Sequence, residues 1–194
     1  MNVSNIDSLV RRLEGLYDER ERAPLAHLRQ AVYDPTGDAR VFGAIGHFLP
    51  RDLSRRDTDA CLITATLFAF YIQPFVAARD RPRFEDEPDG PDERPPWQRP
   101  SIGASGRLLR EALARDGKAG AESLDQRMTA LINSHEDDLP ERLRHLIHRL
   151  RSGRIPLDFR RLLWDLQRWR HDPRAVRRDW AEAYWQPQLE DEAT

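Results

Sequence analysis

Cysteine, lysine and long apolar runs are almost missing from this chain. Cys61 is the only cysteine among 194 residues, which excludes an internal disulfide and makes a reducing cytoplasm the expected home. No apolar run is long enough to span a bilayer. Asp7 and Arg11 interrupt the N-terminal stretch, so no cleavable signal is expected there. Lys118 is the sole lysine among 31 basic residues. Arginine supplies the rest, and it makes bidentate phosphate contacts that lysine cannot. There is no Gly-Lys-Ser/Thr phosphate loop, and no segment alternates like a strand. His145 and His148 stand three apart, but a zinc site needs further ligands at fixed spacing and none stand out. His135-Glu136-Asp137-Asp138 is a hydrophilic turn, and no carboxylate pair has a context that would raise a pKa. The expectation is a non-enzyme with no cofactor, no metal and no catalytic residue. A helical nuclease with scattered ligands is the remaining enzymatic reading.

What is present is charge, unevenly spread. The formal net charge is −2, yet acid gathers in Glu85–Glu93 and in Glu190-Asp191-Glu192. Between Leu139 and Arg178 there are twelve arginines, opposed only by Glu141, Asp158, Asp165 and Asp172. A basic C-terminal half with acid at its margins suits an acidic partner.

The apolar residues are spaced for helices throughout. Ile155–Trp169 carries the heaviest face: Phe159, Leu162, Leu163, Leu166 and Trp169 recur at helical spacing. Pro156 suits the first turn of that helix, and Asp158 is an acid in the same turn, favoured by the helix dipole. Earlier helices are expected from Ile6 to Leu16, from Pro24 to Val32, and from Val41 to Leu49 ending at Pro50. Asp57 is positioned to cap a long fourth helix whose interior, Ala60–Ile72, is apolar all round and therefore central. After Ile102 a helix runs to Gly117, and Ser123 with Gln126 fits a capping box for the next. Pro140 opens a helix ended by Gly153, and the last runs from about Arg174 to Trp185. Arg79–Pro100 is rich in proline and acid without periodicity, and is expected to be an exposed, mobile loop with Trp97 pinning its end. The fold class is all-α, a bundle of about eight to nine helices. It divides into an N-terminal half (residues 1–78), the acidic loop (79–101) and a basic C-terminal half (102–194).

Arg142, His145 and Arg149 share one helix face, and Arg144, His148 and Arg151 form a neighbouring row. With Arg161 and Arg168 one helix later, they would make a basic surface for phosphates, or else the solvated faces of an arginine-rich protein. Trp164, Trp169, Trp180 and Trp185 could stack bases, but their spacing with leucines makes them core for the most part, and Cys61 lies among apolar residues as inert core.

Several stretches resemble the CasB family, the small subunit of the type I-E CRISPR surveillance complex, Cascade. They are Gly106-Arg107-Leu108-Leu109, Gln126-Arg127-Met128 through Ile132, and Leu143-Arg144-His145-Leu146-Ile147. The most specific is IPLDFRRLLWDLQRW running on into VRRDWAEAYW; the Leu28-Arg29 helix before Val41–Leu49 is an N-terminal echo. The resemblance implies an all-helical, non-catalytic subunit present as a pair of copies beside the guide RNA and the backbone and large subunits. It further implies a role in holding the guide RNA–target DNA hybrid and the displaced strand of the R-loop in antiviral defence, with no membrane partner. Matching positions are Arg29, Arg107, Arg127, Arg144 and Arg168. Arg110, Arg142 and Arg161 are neighbours added from helical geometry. His145 stands where relatives can have a second arginine, and the Glu85–Glu93 loop has no clear counterpart. A helical protein–protein scaffold without nucleic-acid contact is the alternative.

Overall fold

The structure, a computed structural model, describes residues 3–75, 80–88, 92–115, 117 and 120–186. Lys118, Arg79, the Asp89–Pro91 part of the acidic loop and the Glu190–Glu192 tail lie outside the described residues. Among those described there are nine α-helices and no strand. They are α1 (Val3–Asp18), α2 (Arg22–Gln30), α3 (Ala39–Ile45), α4 (Arg55–Tyr71), α5 (Ile102–Arg115), α6 (Ala121–Ile132), α7 (Leu139–Ser152), α8 (Phe159–Trp169) and α9 (Pro173–Trp185). Short 3-10 turns follow α2 at Ala31–Tyr33 and α3 at Gly46–Phe48, and a third spans Pro96–Gln98.

Helix α4 is the centre, because its apolar residues leave it no polar face to show to water. Ala60, Cys61, Leu62, Ala65, Leu67, Phe68, Ala69 and Tyr71 are all buried, and α1, α2, α3, α7 and α8 pack around it. The amphipathic α8 closes one side. Phe159, Leu162, Leu163, Leu166 and Trp169 are each 6% exposed or less. At roughly 1.5–3 kcal/mol per buried large side chain, this face contributes on the order of 10 kcal/mol before chain entropy is subtracted. The Tyr71 hydroxyl donates to the Ile155 carbonyl at 2.7 Å, tying the entry to α8 onto α4.

Helix α5 lies against α9 more closely than side chains would permit. A methyl group at Gly103 would collide with the Trp180 carbonyl. One at Gly106 would sit 3.0 Å from the Tyr184 ring and 3.1 Å from the Met128 sulfur. Gly106, in the Gly-Arg-Leu-Leu stretch, is thus where α5, α6 and α9 meet.

The ends of the helices depart from the sequence expectation in a consistent way. Helix α8 begins at Phe159, not at Pro156, because Asp158 is the N-cap and accepts the Arg161 N–H at 2.8 Å. Helix α4 is capped by Ser54 rather than Asp57; Ser54 accepts the Asp57 N–H and donates to its carboxylate at 2.7 Å. The Ser123–Gln126 capping box does not form: α6 starts three residues earlier, after Gly120 at φ 147°. At α8 and α4 the polar side chain that reaches the free N–H groups sets the start; at α6 the chain turns into the helix at Gly120 with no side-chain cap.

The described parts of the acidic loop are tied to the body. Trp97 stacks against Trp164 with centroids 5.4 Å apart. Arg99 is 5% exposed and bridges Asp92 at 2.9 Å and Asp158 at 3.3 Å. Arg81 reaches Glu14 of α1 at 3.4 Å.

Candidate nucleic-acid interface

An arginine can present charge outward only if its own protein leaves that charge unspent. The arginines therefore sort by what holds their guanidinium groups. Arg161 is fully engaged inside. Its donors reach Asp165 at 2.8 Å, Asp179 at 3.1 Å and the Trp97 carbonyl at 2.8 Å. Asp165 has no exposed surface, and Trp180 Nε1 donates to it at 2.7 Å. Burial pushes the Asp165 carboxyl up to about 6, against the pull of Arg161 and the Trp180 hydrogen bond. Arg168 pairs with Asp179 at 3.1 Å, and Arg160 with Glu14 at 2.8 Å. Arg110 pairs with Asp125 at 2.8 Å, which also accepts the Tyr184 hydroxyl at 2.6 Å.

A second group is held by aromatic faces instead. Arg144 lies over Tyr33 at 4.5 Å, Arg151 over Phe70 at 4.2 Å, and Arg154 over Phe75 at 5.5 Å. Their polar contacts are to uncharged groups. Arg151 donates to the Phe70 carbonyl at 2.9 Å and to Gln73 Oε1 at 3.0 Å. Arg154 donates to the Asp80 carbonyl at 3.1 Å, and Arg144 to His145 Nε2 at 3.1 Å. Burial without a facing carboxylate pulls the Arg151 guanidinium below its ordinary range. A cation–π contact orients the group without cancelling its charge. Elsewhere Arg12 stacks on Phe48 but pairs with Glu21, while Arg177 stacks on Trp169 and likewise donates to an uncharged group, the Ser134 carbonyl.

These three arginines form a track along α7. Arg144, His148 and Arg151 share a face, and the His148 ring faces Phe70 at 6.1 Å. Past the end of α7, Arg151 and Arg154 line a depression with Gln73 and Phe75. Gln73 and Phe75 also line the adjoining groove, which holds Arg20, Arg22 and Arg29. Arg20 and Arg154 both sit in the left-handed region, at φ 57° and 53°. Both close their helices in the same way. Glu21 N–H reaches the Leu16 carbonyl and Ile155 N–H reaches that of Leu150, each at 2.9 Å. That position normally selects glycine. At α7 Gly153 is adjacent, yet Arg154 takes it.

The sequence-predicted residues thus separate. Arg29 and Arg144 lie on the track and its groove. Arg127 is exposed, with no pairing partner among the described residues. Arg142 is half-buried on α7, its Nε without a hydrogen bond. Arg107 and Arg110 occupy the α5–α9 corner, where Arg107 donates to the Gln186 carbonyl at 3.1 Å. Arg161 and Arg168 belong to the Asp179 network. Sequence reasoning placed Arg151 in a basic row with Arg144 and His148 but did not select Arg20, Arg22 or Arg154. The usable signal was the aromatic partners Tyr33, Phe70 and Phe75, which come from distant parts of the chain.

Among the described residues no three His, Cys, Asp or Glu side chains converge as a metal site would need. Burial pushes the Cys61 thiol up to about 12. No helix among the described residues is long and apolar enough to cross a membrane.

A family model described as CRISPR-associated protein Cse2 matches residues 24–185. The chain belongs to the Cse2 family. The matched span runs from α2 to the last residue of α9, and it contains every arginine of the track. A Cse2 protein of Thermus thermophilus is 36% identical over 80 residues, 41% of this chain and 45% of that relative. The chain thus matches somewhat less than half the length of that curated relative. Solved structures align over nearly the whole chain. CasB of M. ruber is 25% identical, with a TM-score of 0.63 covering 95% of this chain and 94% of that one. A chain of a CRISPR RNA-guided surveillance complex is 26% identical, with a TM-score of 0.68 covering 94% and 92%.

Proposed function

We propose that this Cse2 protein is a non-catalytic small subunit of a Cascade-type surveillance complex. It grips the nucleic-acid backbone of the guide RNA–target hybrid and the displaced strand, and so stabilises the R-loop. The observation that carries this reading is the α7 track, where Arg144, Arg151 and Arg154 lie over aromatic rings with no carboxylate partner among the described residues. R-loop formation exchanges duplexes at nearly balanced free energy, so a few phosphate contacts tip it. Arginines along a groove supply them through counterion release, without reading sequence. Backbone and large subunits, and a second copy of the chain, are its expected neighbours. Arg29, Arg127 and Arg142 extend the proposed contact set. Arg110, Arg161 and Arg168 act first as structural cations.

The test is target-duplex binding by a guide-loaded complex assembled without this chain, before and after adding it. Tighter binding that fades with rising salt is the expected result. A chain that joins the complex without changing binding would instead be a scaffold. That second reading is favoured by Tyr33 and Phe42, 75% and 47% exposed on the α2–α3 side.

A further inference from the structure

Trp97 is unlike the tryptophans of the helical core. It is 49% exposed, while its other side rests on Trp164. The ring is therefore held rigid, and stacking on its open side costs little ordering. Beside it lies a shallow depression of about 610 Å³, between the Pro96–Gln98 turn, the start of α5 and the end of α9. Ser101 and Arg107 line it. Ser101 is 5% exposed and its hydroxyl is buried without a hydrogen-bond partner, while the Arg107 Nε is ion-paired with Glu111 at 3.7 Å. A buried hydroxyl left unpaired beside a cavity calls for a polar occupant. Asp179 and Glu182 stand on the same wall, each already bridged to arginine.

We infer that this depression receives one unpaired nucleobase, stacked on Trp97. The ligand must be flat, to use the indole face. Its edge must both donate and accept: the Ser101 hydroxyl and Arg107 offer donors, and the carboxylates of Asp179 and Glu182 offer acceptors. Those carboxylates disfavour a phosphate in the same place. A base with an exocyclic amine and a ring carbonyl, such as cytosine, meets both demands. The inference rests on the nucleic-acid reading above. It adds a contact made through the base, where the α7 track touches only the backbone.

The test titrates the full-length chain at low salt with a labelled deoxycytidine oligonucleotide and an abasic one of equal length. The base-bearing strand is expected to bind about fivefold or more tightly. Trp97→Leu should erase that difference and leave abasic binding unchanged; Trp97→Phe should retain part of it, and Ser101→Ala should reduce it. Retention of the full difference by a helical Trp97→Leu protein would overturn the assignment. No difference in the wild type would overturn it too, while leaving the backbone track standing. Binding of neither strand would remove both readings. If base preference is absent and Trp97→Leu fails to enter the complex, the depression is a protein contact instead.

Discussion

Two arginines of one residue type can have opposite jobs, and here the partner decides. Arg161 is 7% exposed and bonded to Asp165 and Asp179, whereas Arg144 rests on an exposed tyrosine ring. Arg161→Ala should destabilise by about 3–5 kcal/mol, since it strands the buried Asp165 charge. Arg144→Ala should stay within about 1 kcal/mol. Chemical denaturation of both variants measures the contrast. Asp165 adds a pH signature. Its carboxyl is raised from 3.8 to about 6 in the folded protein. Between those values the folded state holds a proton that the unfolded chain has released. The contribution is therefore complete below about pH 4 and is lost as pH rises through about 6. Asparagine has no proton to lose. The stability gap between wild type and Asp165→Asn should move on the order of 3 kcal/mol toward the variant from pH 4 to pH 7, read by denaturation at each pH. The Arg161–Asp165 spacing of four was visible in the sequence. The roles of Trp180 and Asp179 were not, because they arrive from another helix.

At the scale of elements, the helices were legible and their ends were not. Apolar spacing located the amphipathic helices, since burial on one face needs nothing beyond spacing, and the all-round apolar run Ala60–Ile72 located α4. The ends depend on which nearby polar group reaches the free N–H groups first, so Asp158 displaced Pro156 as the start of α8 and Ser54 displaced Asp57 at α4. At the C-terminus of α7 the sequence pointed to Gly153, but the left-handed residue is Arg154. An arginine there costs roughly 1 kcal/mol relative to glycine. Arg154→Gly should therefore raise stability by up to about that amount, seen as a higher melting temperature, while weakening nucleic-acid retention. A variant more stable and equally retentive would remove Arg154 from the track. The close approach of α5 to α9 was also hidden, because Gly103 and Gly106 look like weak helix formers until Trp180 and Tyr184 are placed against them.

For the molecule as a whole, the acidic and basic composition divides into what holds the fold and what faces a partner. In the described parts between Arg81 and Arg99, Asp86, Glu87 and Asp92 pair with arginines of the same segment, while Arg81 and Arg99 reach Glu14 of α1 and Asp158 at the start of α8. On the α7 side, Arg144, Arg151 and Arg154 have no carboxylate partner among the described residues, although the net charge is −2. Composition announced the arginine excess but could not say which surface keeps it, since pairing is set by tertiary contacts. The measurement that bears most directly on this division is the salt dependence of target retention by complexes carrying wild type or the Arg29→Ala, Arg144→Ala, Arg154→Ala triple variant. The track predicts weaker retention at low salt and a log–log salt slope shallower by about 2–3, one phosphate contact for each arginine removed. An unchanged slope in a folded, incorporated triple variant would contradict it.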